Sequence, residues 1–184
     1  MFNIKVKQYI SQLARRSIGH YLATGTKLLI DESDLPDQEL KQKRSCFVTL
    51  ELDGKLRGCM GHIRPIQELY LDIIDNAVKA GFEDPRFSPL TKDEFDNVDI
   101  EISILTEPQK LDFIDSQDLI DKLRAGIDGV IISKGNYGAT YLPQVWEDLS
   151  SKKEFLSSLC LKAGLGADDW KNSKLEVKVY QICD

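Results

Sequence analysis

Apolar residues recur at helical spacing near the start of the chain. Ile10, Leu13, Ala14, Ile18, Tyr21 and Leu22 fall three or four apart, which predicts one buried helix face within residues 1–25. Thr24-Gly25-Thr26 ends that helix, because glycine readily takes the left-handed turn that closes one. Residues 31–44 lose the period. They are polar, first acidic and then basic, and contain Pro36, so they read as a mobile loop.

From residue 47 the period changes to two. Phe47-Val48-Thr49-Leu50-Glu51-Leu52 predicts a strand, Asp53-Gly54 a two-residue turn, and Lys55-Leu56-Arg57-Gly58-Cys59-Met60 the return strand. A two-residue loop sets Leu52 opposite Lys55, Leu50 opposite Arg57 and Val48 opposite Cys59. Arg57 and Cys59 would then share a sheet face with Cys46, and Leu56 and Met60 would take the other.

A second helix is predicted between Pro65 and Gly81, with Ile66, Leu69, Tyr70, Ile73, Ile74 and Ala77 as its apolar stripe. Pro85 and Pro89 make residues 83–89 an ordered loop. Val98, Ile100, Ile102 and Ile104 alternate with polar residues, as in a half-wet strand. Later come a short helix from Ser116, a hairpin about Gly135-Asn136, a turn or helix from Pro143, a helix with Phe155, Leu156, Leu159 and Cys160, and a last strand with Leu175, Val177 and Val179. Hairpins and helices interleave without a βαβ rhythm. The expected class is α+β, with a mainly antiparallel sheet flanked by helices.

Composition narrows the function. A length of 184 residues fits one domain, or two lobes sharing a core. The net charge of −6 runs against phosphate neutralisation, so a nucleic-acid binder is not expected. Lys41, Lys43 and Arg44 read as a solvated loop. The N-terminus shows no signal-peptide pattern and no apolar run reaches the ~20 residues that span a bilayer. A cytoplasmic protein without membrane association is expected. Cys46, Cys59, Cys160 and Cys183 lack a repeated spacing and are expected as free thiols.

Arg57-Gly58-Cys59-Met60-Gly61 is the most unusual segment. Gly58 and Gly61 weaken a strand interior and mark a bulge, a close backbone approach, or open space around the thiol. Arg57, about 7 Å away on a shared face, would favour the thiolate by under about two pK units. The plainer reading is a small buried thiol beside a surface arginine. Cys59 and His62 have a zinc-like spacer, but Cys46 is the only nearby thiol and His20 lies in a helix, so no metal or other cofactor is expected. Asp84-Pro85-Arg86-Phe87 offers a carboxylate and a guanidinium from a rigid loop, either as a binding pair or as a local ion pair.

Taken together, these residues resemble the AMMECR-domain family, also called protein A of the AmmeMemoRadiSam system. The resemblance lies in Cys46–Leu50 with Leu56–Gly61, in Asp84–Phe87 with Pro89-Leu90-Thr91, in Ile100–Leu105, and in Leu142–Val145 followed by Phe155-Leu156, Lys162–Leu165 and Trp170. It runs from about residue 45 to the end, within a single domain of residues 1–184. Met60 stands in place of the usual isoleucine and His62 in place of a small hydroxyl residue, and the stretch Trp146–Glu154 departs from the family pattern. The resemblance implies a larger sheet-containing lobe and a smaller helical lobe. It implies that Arg57, Cys59, Asp84, Arg86 and Gln144 line one cleft. It also implies a Memo-type protein and a radical-SAM protein as partners, while the family's own activity stays unassigned.

The leading expectation is an enzyme or enzyme component of that system. Cys59 is its nucleophile or covalent carrier, supported by Arg57, and Asp84, Arg86 and Gln144 hold a substrate. The alternative is a non-catalytic interaction module that docks a partner in the same cleft.

Overall fold

The structure, a computed structural model, describes residues 2–171 and 174–183. The chain divides into two compact units: one runs to Glu107 and takes in Cys183, and the other spans Pro108–Ile182.

The first unit contains α1 (Ile4–Thr24), β1 (Cys46–Leu52), β2 (Lys55–Gly61), α2 (Leu69–Phe82), α3 (Lys92–Asn97) and β3 (Asp99–Ile104). Its sheet is antiparallel, in the order β2-β1-β3. Helices α1 and α2 pack together, and α2 lies on β1 and β2. Leu13, Ile18, Leu40, Leu50, Leu69, Ile73 and Ala77 form the centre of this core. The period-two pattern of β1 explains the arrangement. Cys46, Val48 and Leu50 are fully buried, while Phe47 and Thr49 alternate with them on the other face.

Several predicted elements shift. Helix α2 begins at Leu69, after Glu68, and the Pro65 start is corrected: Ile66 lies outside it and is 58% exposed. Gly81 sits inside the helix, whose C-cap is Glu83. Residues 31–44 are not a bare loop. They hold two 3-10 turns, Glu32–Asp34 and Gln38–Lys41, and Leu35 and Leu40 reach the core. Helix α3 has too few residues to show an apolar period. It is set by its ends instead: Thr91 and Glu94 bond each other's backbone N–H groups in a capping box.

A buried carboxylate ties the hairpin to α2. Asp72 accepts hydrogen bonds from Cys46 N–H at 2.9 Å, Asn76 Nδ2 at 3.0 Å, Gln67 Nε2 at 3.2 Å and His62 Nδ1 at 2.6 Å. Four donors offset the desolvation of a carboxylate with no exposed surface.

The second unit contains β4 (Gln109–Lys110), α4 (Ser116–Lys122), β5 (Gly129–Lys134), β6 (Tyr137–Tyr141), α5 (Lys152–Lys162) and β7 (Glu176–Tyr180). Its sheet is antiparallel in the order β4-β7-β5-β6, so this smaller unit is not purely helical. Trp146 stacks on Phe155 at 3.5 Å between ring centroids and anchors its core. Helices beside two antiparallel sheets give the α+β class.

Gly58 is where strand and helix meet most closely. A Cβ built there would lie 2.1 Å from the carbonyl oxygen of Ala80 in α2. A backbone atom cannot swing aside, so Gly58→Ala must push α2 off the hairpin. The expected loss is about 1–3 kcal/mol in urea unfolding.

Candidate functional site

The hairpin turn forms as predicted, with Asp53 and Gly54 at φ 52° and 70°. Leu52 opposes Lys55, but the next pairs are Glu51 with Leu56 and Leu50 with Gly58. The predicted register is therefore corrected by one residue beyond Leu56, and Arg57 is the extra residue of a bulge. The cause is the buried face. Without the bulge, a charged side chain would oppose buried Leu50 under α2; with it, Gly58 and Met60 take those places.

That slip moves Cys59 to the other face. It pairs with Thr49, and Cys46 lies behind the sheet rather than beside it. Thr49 donates its hydroxyl to Cys59 Sγ at 3.3 Å. Thr49 also pairs with Glu101 of β3, so Glu101, Thr49 and Cys59 form one row across three strands. Thr49 and Glu101 were invisible without the bulge. The signal that could have found them was the need to match Val48 and Leu50 with small or apolar residues on β2.

The loop after α2 reaches this row. Asp84, 4% exposed, accepts the N–H of Cys59 at 2.9 Å. It also accepts from Arg86 N–H, Nε and Nη2 at 3.1, 3.0 and 2.7 Å. Arg86 bonds the Cys59 carbonyl at 3.4 Å, and its side chain is 54% exposed. The Arg86 bonds and the two backbone donors hold the Asp84 carboxyl down at about 2, against the opposing effect of burial.

Arg57 has a different role from the predicted one. It is 8% exposed and engages Glu94 through Nε at 2.8 Å and Nη2 at 3.1 Å, and the Ser88 carbonyl at 2.9 Å. Its guanidinium lies over Phe87, as does that of Arg86. The same Arg57 contact, with donors from Thr91, lowers the Glu94 carboxyl to about 2. Arg57 thus clamps the loop, and the cation that acts on the thiol is Arg86.

The thiol of Cys59 is half-buried, and burial pushes its pKa up. The Thr49 hydroxyl and Arg86 oppose that shift, while Asp84 and Glu101 add to it. Cys59 is therefore a neutral thiol at pH 7, not the stabilised thiolate expected beside Arg57. The flanking glycines serve packing rather than open space. Gly58 meets Ala80, and a Cβ at Gly61 would lie 2.3 Å from the Phe47 ring. Cys46 and Cys160 are buried and Cys183 half-buried, all as free thiols.

The first unit thus brings Cys59, Asp84 and Arg86 together, with Arg57 securing their loop. Gln144 lies in the 3-10 turn Pro143–Asp148 of the second unit. Among the described residues, no group of three or more His, Cys, Asp or Glu could hold a metal ion. None of their helices is long and apolar enough to cross a membrane.

Asp84 makes the acid limb of stability a direct test. Its folded pKa lies below the unfolded value, so its contribution is full above about pH 5 and fades as pH falls toward 2. Asp84→Asn is expected to cost about 2 kcal/mol at pH 7 and to lessen the fall in stability between pH 5 and 2, leaving the part that follows Glu94, as read by urea unfolding across pH.

Residues 11–183 match the AMMECR1 family model. Protein MK0488 of Methanopyrus kandleri is 37% identical over 182 residues, covering 95% of this chain and 84% of that protein. Protein NEQ441 of Nanoarchaeum equitans is 44% identical over 153 residues, covering 80% of this chain and 85% of that one. The crystal structure of the uncharacterized protein PH0010 from Pyrococcus horikoshii superposes with a TM-score of 0.91 at 34% identity, covering 98% of this chain and 91% of that one. The chain belongs to the AMMECR1 family.

Proposed function

We propose that the chain is an enzyme, or the substrate-holding component of one, in which Cys59 carries the chemistry and Arg86 anchors an anionic group of the substrate. The observation that carries this reading is the cage around Cys59. Asp84 fixes its N–H, Arg86 its carbonyl, and Thr49 its sulfur. A residue whose backbone is fixed at both its N–H and its carbonyl, and whose sulfur is held by one hydroxyl, gives the positional control that covalent catalysis needs.

At rest the sulfur is protonated, so the step needs a base or a substrate that draws the proton away. The attacking thiolate is then met by two groups already placed for it, the Thr49 hydroxyl and the Arg86 guanidinium. The AmmeMemoRadiSam system supplies the setting, with a Memo-type protein and a radical-SAM protein as the proposed partners. Gln144 is proposed as a substrate contact on the family resemblance alone.

A second reading has its own support. Asp84 is saturated by internal bonds and Arg57 is clamped to Glu94 and the Ser88 carbonyl, as in a rigid module that docks a partner without reacting. Under that reading Cys59→Ser binds the Memo-type protein as the native chain does, and the thiol shows no charge preference.

Competition between iodoacetate and iodoacetamide separates the two. If Arg86 steers anions to Cys59, the iodoacetate share at Cys59 exceeds that at Cys183 of the same molecule, and Arg86→Gln removes the excess. The pH-rate midpoint at Cys59 is expected above that of an ordinary cysteine, and Arg86→Gln moves it higher still, because a cation favouring the thiolate is lost. Equal iodoacetate shares at both cysteines would sink the catalytic reading.

A further inference from the structure

Helix α1 has an unusual charge balance for this chain. The protein carries 30 acidic and 24 basic residues, yet the sequence of α1 holds Lys5, Lys7, Arg15 and Arg16 and no carboxylate. Its inward face is consumed by the core through Val6, Ile10, Leu13, Ala14 and Ile18. The cations are therefore left to the flanks.

Beside α1 lies an open depression of about 600 Å³, within the range of small-molecule sites. Its apolar part is Leu28 and the Phe95 ring, and its polar part is Gln12, Arg15, Arg16 and His20. Among the described residues, no carboxylate lines it. Phe95 can lie close to α1 because residue 19 is glycine: a Cβ there would sit 3.1 Å from the ring.

The two arginines differ in a useful way. Arg15 is fixed. It donates to the carbonyls of Phe95 and Val98 and lies 5.5 Å from the Phe95 ring centroid. Arg16 is exposed and can swing onto a ligand. His20 is held at Nε2 by Thr26 Oγ1 at 3.2 Å. The negative pole of the helix end nearby is blunted, because Thr24 donates to the His20 carbonyl and Gly25 N–H to the Tyr21 carbonyl.

The geometry points to a binding site, between α1 and Phe95, for a small organic anion with a flat apolar body. The body lies on Leu28 and Phe95, and the carboxylate or phosphate meets Arg16, with Arg15 adding to the positive field and His20 a polar edge. A bare anion gains only the charge and a neutral aromatic only the apolar floor, so neither alone fits as well. The site is separate from Cys59 and does not depend on the reading of that thiol.

Amide NMR titration of the full chain tests this with phenyl phosphate, inorganic phosphate and benzyl alcohol. Phenyl phosphate is expected to shift Gly19, Leu28 and Phe95 and to bind at least about tenfold more tightly than either fragment compound. Arg16→Glu, a surface change, is expected to weaken it by about tenfold or more while distant amides keep their positions. His20→Ala gives a smaller loss. The site is refuted if phenyl phosphate shifts nothing at about 10 mM, if inorganic phosphate or benzyl alcohol binds as well, or if Arg16→Glu leaves the affinity unchanged.

Discussion

Asp84 keeps a negative charge almost out of water, and a buried carboxylate must find donors. It finds them on two sides. One is the N–H of Cys59 in β2, and the others come from Arg86 in its own loop. The loop after α2 and the strand that carries the thiol are therefore joined through one side chain. The Arg57–Glu94 pair closes the same loop from its far end. Without these two ion pairs, neither the orientation of Arg86 nor the shelter of Cys59 would be defined.

The electrostatics of the site follow from that arrangement. An arginine two residues from a cysteine in sequence looks like its activator. Here Arg57 is drawn into the loop and neutralised, while Arg86 comes from more than twenty residues away to touch the Cys59 peptide. Each guanidinium has its own carboxylate, but Arg57 is enclosed while Arg86 keeps an exposed side toward solvent. Burial then decides the state of the thiol.

Much of this was legible in the residues. The period-two runs, the Asp53-Gly54 turn and the two glycines located the hairpin, and Pro85 and Pro89 marked the ordered loop. The glycines also flagged a bulge, but what escaped was its place at Arg57 and its effect on the register. Hairpin register is inferred from turn length, but α2 imposes a stronger condition: no charged side chain may lie beneath it. Because the strand period is two, inserting Arg57 exchanged both faces and replaced Cys46 by Thr49 as the neighbour of Cys59. Helix α3 and the two-residue strand β4 escaped for another reason. They are too short to show a period and are held by capping and pairing alone. Gln144 rests on family resemblance, since its surrounding residues give no pattern of their own.

Asp72 has a consequence for motion. It takes the amide of Cys46 at the entrance to β1 and the ring of His62 just past the exit from β2, so one carboxylate closes the open end of the hairpin. Separating the strands at that end would strip a fully buried charge of its donors. Beyond the Arg57 clamp, the opposite end has only the turn. Breathing of the hairpin should therefore run from Asp53-Gly54 inward, and amide exchange should slow steadily toward Cys46, with Cys59 midway along that gradient.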